Sequence, residues 1–192
     1  MTTAIDLCSA ALIKIGSSSI NSFNDGSRES EVAVSLYQSI KRAELTHTWS
    51  FNAVNCILSR HVDAPTDKRY TAKYQKPSDC LKIVAVYDSS GRHIDFLSES
   101  SFIYTNTESA TLKYQSDCDE NLFPPLFAEA LISKLAYSFC TPMQGDRELA
   151  KSLWGEYTDR IKKARFDDMS SSIPRSVYSS STFVKAHYGA NY

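Results

Sequence analysis

The 192-residue chain has only 6 glycines, none in GxGxxG or GxxxxGK spacing, so it carries no glycine-rich backbone cradle for a phosphate. GxSxG, HExxH and the EF-hand loop are missing too, which removes the common signatures of acyl transfer, zinc proteolysis and calcium binding. The five cysteines, Cys8, Cys56, Cys80, Cys118 and Cys140, are spread almost evenly and never approach CxxC spacing. No Cys or His pair is spaced like a zinc site, so no metal and no cofactor is expected. An odd count without a secretion signal predicts free thiols in a reducing compartment, most of them packed as small hydrophobes. Neither sign of charge dominates: Lys and Arg number 21, Asp and Glu 22, and the formal net charge is −1. The basic residues are scattered through both halves, which excludes a large face for tight, salt-sensitive nucleic-acid binding. Long hydrophobic runs are lacking as well. The stretch Ile83 to Tyr87 is far below the ~20 residues a membrane span requires, and Met1 to Asp6 lacks the basic and apolar regions of a signal peptide. The expectation is a chain with no membrane span, made and kept in the cytoplasm.

What is present is helical at both ends. Thr2 or Thr3 can cap a first helix with Ile5, Cys8, Ala11, Leu12 and Ile15 on one face and Gly16 at its end. After the turn Asn24-Asp25-Gly26-Ser27, Asp25 or Ser27 can cap a second helix, with Glu29 and Glu31 suited to the positive end of its dipole. Val32, Leu36, Ile40, Ala43 and Leu45 form its expected core face, and Trp49 and Phe51 lock its exit onto the core. Pro124 and Pro125 open a third helix, carrying Phe127, Leu131, Leu135 and Phe139, apolar around most of its circumference and therefore central. Thr141 and Pro142 are expected to stop it. Asp146 caps a fourth helix with Leu149, Leu153, Tyr157 and Ile161 on one stripe and Lys151, Glu156, Asp159, Lys162 and Lys163 opposite. Phe139, Trp154 and Tyr157 read as core packing.

Between Ala53 and Asp119 the period changes to two. Tyr70, Ala72 and Tyr74 alternate with polar residues, and Leu81 to Tyr87 is a β-branched run stopped by the hairpin signal Asp88-Ser89-Ser90-Gly91. His93 to Leu97 can return from that turn, and Phe102–Thr105 is expected to pair with Thr111–Tyr114. The cluster Asp117, Cys118, Asp119, Glu120 reads as a solvated turn before the third helix. The fold class is α+β: a helical bundle from residues 1–52 and 120–168, a small antiparallel β meander inserted at 53–119, and an extended C-terminal arm at 169–192.

The arm is rich in Ser and Thr, which offer little apolar area against an ordering cost of roughly 1–2 kcal/mol per residue. Yet Ile173, Val177, Tyr178, Phe183, Val184, Tyr188 and Tyr192 are more apolar than a passive linker needs. It reads as a segment that docks on a partner.

Taken in order, several segments resemble the tail tubular protein A family of short-tailed bacteriophages. They are Asp6-Leu7-Cys8 with Ala10-Ala11-Leu12 and Ile15-Gly16; Ser22-Phe23-Asn24-Asp25-Gly26-Ser27; Thr48-Trp49-Ser50-Phe51; Tyr74 before Pro77-Ser78-Asp79-Cys80-Leu81; and Phe127-Ala128-Glu129-Ala130-Leu131 with Leu135-Ala136. The match spans roughly residues 4 to 168. The resemblance implies a head-to-tail adaptor of the virion tail, not an enzyme: twelve copies in a ring beneath the portal protein, a lumen that passes genomic DNA without binding it specifically, and a lower face for the nozzle or next tail protein. It implies further that the arm climbs onto the portal, with Ile173, Pro174, Val177, Tyr178, Phe183, Val184 and Tyr188 as its contacts. Two alternatives stand beside it: a tail-completion protein at another level of the tail axis, and a small hydrolase assembled from Cys80 with His47 or His93.

Overall fold

The computed structural model describes residues 2–172. In chain order the elements are α1 (Ala4–Lys14), α2 (Arg28–Leu45), β1 (Ala53–Ile57), β2 (Ala72–Gln75), β3 (Cys80–Tyr87), β4 (Leu97–Glu99), β5 (Phe102–Thr105), β6 (Thr111–Ser116), α3 (Pro125–Met143) and α4 (Arg147–Ser172), with one 3-10 turn at Glu120–Leu122. This is an α+β fold in which two helical pairs flank an antiparallel β region.

Local chemistry sets the helix ends. Thr3 caps α1 in a reciprocal box with Asp6, so two otherwise orphaned amides gain partners. At the other end Gly16, at φ +74°, lets the chain reverse: its N–H donates to Ile13 O and that of Ser17 to Leu12 O. Of the two candidate caps for α2, Ser27 is the one used; Asp25 instead accepts from the Ser27 amide and hydroxyl, holding the cap in place. Asp146 accepts from the Glu148 and Leu149 amides and starts α4.

The third helix packs against the other three. Phe127, Leu131, Leu135 and Phe139 are buried, together with Leu7, Leu12, Tyr37, Leu153 and Tyr157 from its neighbours. Three details depart from expectation. Pro142 lies inside the last turn of α3 rather than ending it, and its carbonyl accepts from the Arg28 guanidinium. The most deeply buried strip of α2 is Ser30, Ala33, Tyr37, Lys41, Glu44 and Leu45; of the expected core face Leu45 is in it, whereas Val32, Leu36 and Ile40 are half-buried and Ala43 is exposed. The helix is turned so that Lys41 meets the carboxylates of Asp117 and Glu120 and Glu44 accepts from the Tyr157 hydroxyl. Finally, α4 runs through Ser172, past the expected end at 168, so residues 169–172 belong to a helix rather than to the arm.

The β region is two three-stranded antiparallel sheets, in the orders β1-β6-β3 and β2-β5-β4. The expected β5–β6 pairing does not form, because each is the central strand of its own sheet. Both sheets contribute to one apolar core that contains Ala72, Tyr74, Val86, Ile103, Leu112 and Tyr114. Register shifts in β3 between Cys80 and Lys82 and between Ile83 and Ala85 break the simple alternation. As a result Leu81 packs against the helical core instead of the β core. Beyond the Asp88–Gly91 turn the return is brief: Ile94 N–H donates to Val86 O and His93 bridges Tyr87, and regular pairing resumes only in β4.

Candidate functional site

The seven residues proposed from the sequence for docking, Ile173, Pro174, Val177, Tyr178, Phe183, Val184 and Tyr188, lie outside the described residues. What is described is the place from which they leave, the C-terminal end of α4, and the groups gathered around it.

That place is organised by Trp49. Its indole N–H donates to Glu44 O at 2.9 Å, tying the ring to the end of α2, and its amide donates to the Gln115 side chain at 3.3 Å, tying the same residue to β6. The ring meets Phe127 edge-on, with centroids 5.0 Å apart, and Phe51 lies 4.9 Å from Phe127. Phe123 completes the group 5.0 Å from Phe127. Such pairs add to their burial an electrostatic preference for tilted and edge-on geometry, about 0.5–1.5 kcal/mol each. Asn52, next but two in the chain, donates to Leu45 O and Ser116 O, so the turn between α2 and β1 is bonded to both layers.

From α4, Asp168 reaches back to this turn. Its carboxylate accepts from the Ser50 amide at 2.9 and 3.1 Å and from the Ser50 hydroxyl at 2.5 Å. Between the tether and the aromatic group opens a cleft of about 170 Å³. Its walls are Trp49, Phe51, Pro124, Leu126, Phe127 and Ala164, and Ser50, Asp167, Asp168 and Ser171 form its edge. Sequence reasoning placed Trp49 and Phe51 at the helix exit, but Asp168 carried no signal, since its partner is 118 positions away.

A second cluster, expected from the sequence to be a solvated turn, is instead half-buried at Asp117 and Glu120. In the structure Asp117 and Glu120 clasp α2: Lys41 Nζ stands 3.0 Å from Glu120 and 3.5 Å from Asp117, Arg42 stands 3.4 Å from Asp117, and Tyr37 donates its hydroxyl to Glu120 at 2.7 Å. Burial raises the pKa of Glu120, but the Tyr37 and Lys41 hydrogen bonds and the Lys41 charge together lower it below the ordinary glutamate value. Lys41 itself is 6% exposed. Among the described residues it is neutralised by this pair of carboxylates, so the cluster holds the 117–122 turn against α2. A third polar group, Lys134, sits over the Trp154 and Tyr157 rings at 4.5 and 4.8 Å on the joint face of α3 and α4; Tyr157 is buried as expected, but Trp154, expected in the core, is exposed at the surface.

The proposed Cys and His pairing is not assembled. His93 stacks edge-on with Tyr87 at one end of β3, while Cys80 begins that strand, roughly 20 Å away by strand rise. His47 is exposed just past α2. Burial pushes the Cys80 thiol up, with Lys76 opposing, so it is held protonated rather than activated. Burial does the same at Cys8, to about 12, and at Cys118, to about 11. Among the described residues no group of three or more His, Cys, Asp or Glu side chains is placed to hold a metal ion, and no helix is long and apolar enough to cross a membrane. Compared with known families and with curated proteins, the chain matches no family model and no curated sequence.

Proposed function

We propose that the chain is a structural head-to-tail adaptor of the tail tubular protein A kind, a ring component between a phage portal and the tail nozzle, with a lumen for the passage of DNA. The observation that carries the reading is the succession of helical pair, β insertion and helical pair, with Thr48-Trp49-Ser50-Phe51 at the first junction, since those are the segments that resemble the family. Supporting it, large apolar side chains are exposed on all four helices: Ile13 on α1, Val34 on α2, Leu126 on α3, Trp154 and Phe166 on α4. A ring subunit needs lateral contacts on more than one side, and scattered exposed apolar residues with aromatic anchors suit that role. In this reading the residues after α4 engage the portal, while the bundle supplies the lateral contacts and the β region faces the next tail protein.

Because a docking arm gains its portal contacts only when the portal is present, the purified chain is expected to be monomeric and to assemble as twelve copies on the portal ring. Light scattering on the chain alone, followed by electron microscopy after addition of portal particles, checks both halves. A stable ring formed without the portal would remove the arm from assembly, and no binding to portal particles would sink the adaptor reading itself.

A further inference from the structure

Three properties of the cleft beside Trp49 point to one occupant. The first is its size and lining. At about 170 Å³ it is close to the ~150 Å³ of a cavity that takes a benzene ring, and Phe51, Leu126, Phe127 and Ala164 present it with an apolar wall. It accommodates a single aromatic or branched side chain. The second is its edge, where Asp167 and Asp168 stand beside Ser50 and Ser171. A negative edge around an apolar floor suits a segment that carries aromatic residues and positive charge. The third is its position. Ser171 lines the cleft, and two residues later the chain enters the segment 173–192. That segment contains Tyr178, Phe183, Tyr188 and Tyr192 together with Arg175 and Lys185, and has no Asp or Glu.

We propose that this cleft is the docking site for the chain's own C-terminal segment, residues 173–192, which seats one aromatic side chain against Phe51 and Phe127 with its positive charges beside Asp167 and Asp168. Tyr178 is the first candidate in chain order. It is seven residues past Ser171, a span of up to about 23 Å, enough to turn back across the width of a helix pair. A tether this short gives an effective concentration of about 1 mM, so a contact with a Kd of about 0.1 mM for a free peptide would be about nine-tenths occupied within one molecule. Held there, the seated anchor is covered until a better surface competes for it. The inference does not depend on the adaptor reading: a segment that never touches a portal can still seat in the cleft, and one that ignores the cleft can still bind a portal.

The test uses the full chain with the photo-reactive residue p-benzoylphenylalanine at Leu126, which is 38% exposed at the cleft wall, and in a second variant at Phe51. Equal amounts of unlabelled and 15N-labelled protein are mixed, irradiated and digested, and the joined peptides are read by mass spectrometry. The expected result is a crosslink from the cleft to a peptide of residues 173–192 of the same isotopic chain. Its yield should exceed by at least tenfold that from the same probe at Ile13, an exposed residue outside the cleft. Mixed-isotope adducts would assign the cleft to a second copy and overturn the proposal. It is overturned equally if positions 126 and 13 give similar yields, or if no adduct reaches residues 173–192.

Discussion

Lys41, at 6% exposure, is the most telling single residue, because a lysine in that position is tolerated only while its charge is answered. Removing it by Lys41→Ala leaves Asp117 with Arg42 and Glu120 with the Tyr37 hydroxyl as remaining partners and should cost about 3 kcal/mol, the low end for breaking a buried pair, read as a fall in the urea midpoint. Tyr37→Phe removes a single hydroxyl donor to Glu120 and should cost about 2 kcal/mol at pH 7. Its pH dependence follows from the direction of the Glu120 shift. A carboxylate held below its ordinary value contributes stability above the unfolded pKa, near 4.5, and that contribution is lost as pH falls through the folded value. The difference between Tyr37→Phe and the parent should therefore shrink between pH 5 and pH 3; a gap that stays constant would show that the hydroxyl acts through packing alone. Thiols give a second check at this scale. With Cys8 and Cys118 pushed up to about 12 and about 11 by burial, both should resist an aromatic disulfide reagent at pH 8 until denaturant is added. Cys118→Ser, with His47→Gln and His93→Gln, should leave the fold within about 1 kcal/mol per buried site.

At the scale of elements, helix ends and one tether carry the testable content. Ser27→Ala removes the cap of α2 and should cost about 1 kcal/mol. Asp168→Ala releases three hydrogen bonds to Ser50 and should cost about 1–2 kcal/mol. It should also speed hydrogen exchange in the last two turns of α4, leaving α3 unchanged, and faster exchange throughout the bundle would mean that the tether supports the core rather than only the helix end. The capping residues were legible in the sequence because a cap acts over three positions. The tether was not, because nothing local to Asp168 distinguishes it from Asp167. Likewise Val32, Leu36 and Ile40 marked α2 as amphipathic, yet the exact centre of its buried face was set by Asp117 and Glu120, contributed from beyond the β region.

For the whole molecule, the two apolar cores draw, among the described residues, on positions 4–164. Truncation after Ser172 should therefore leave a cooperatively folding protein, as judged by circular dichroism and a single thermal transition, while weakening attachment to portal particles severely. Tyr178→Ala with Phe183→Ala should give a milder defect, of order 2 kcal/mol in binding if both are anchors. A truncated chain that unfolds would place the segment in the core, and one that occupies portal particles normally would place docking elsewhere on the surface.

By itself the sequence determined what arises from neighbours along the chain: four helices, their caps, the change of period at Ala53, and the apolar faces of α1, α3 and α4. These features depend on spacings of two to four residues, so composition and order suffice to specify them. Only the tertiary structure decided the pairing of β5 with β2 and β4 rather than with β6, because strand pattern says that a segment is extended but not which edge it meets. The structure alone likewise closed the salt-bridge clasp on Lys41, carried α4 through Ser172, and assembled the cleft from residues 49–51, 124–127 and 164–171. Each of these joins groups separated by tens of positions, and their energies exist only once the chain has brought them within a few ångströms of one another.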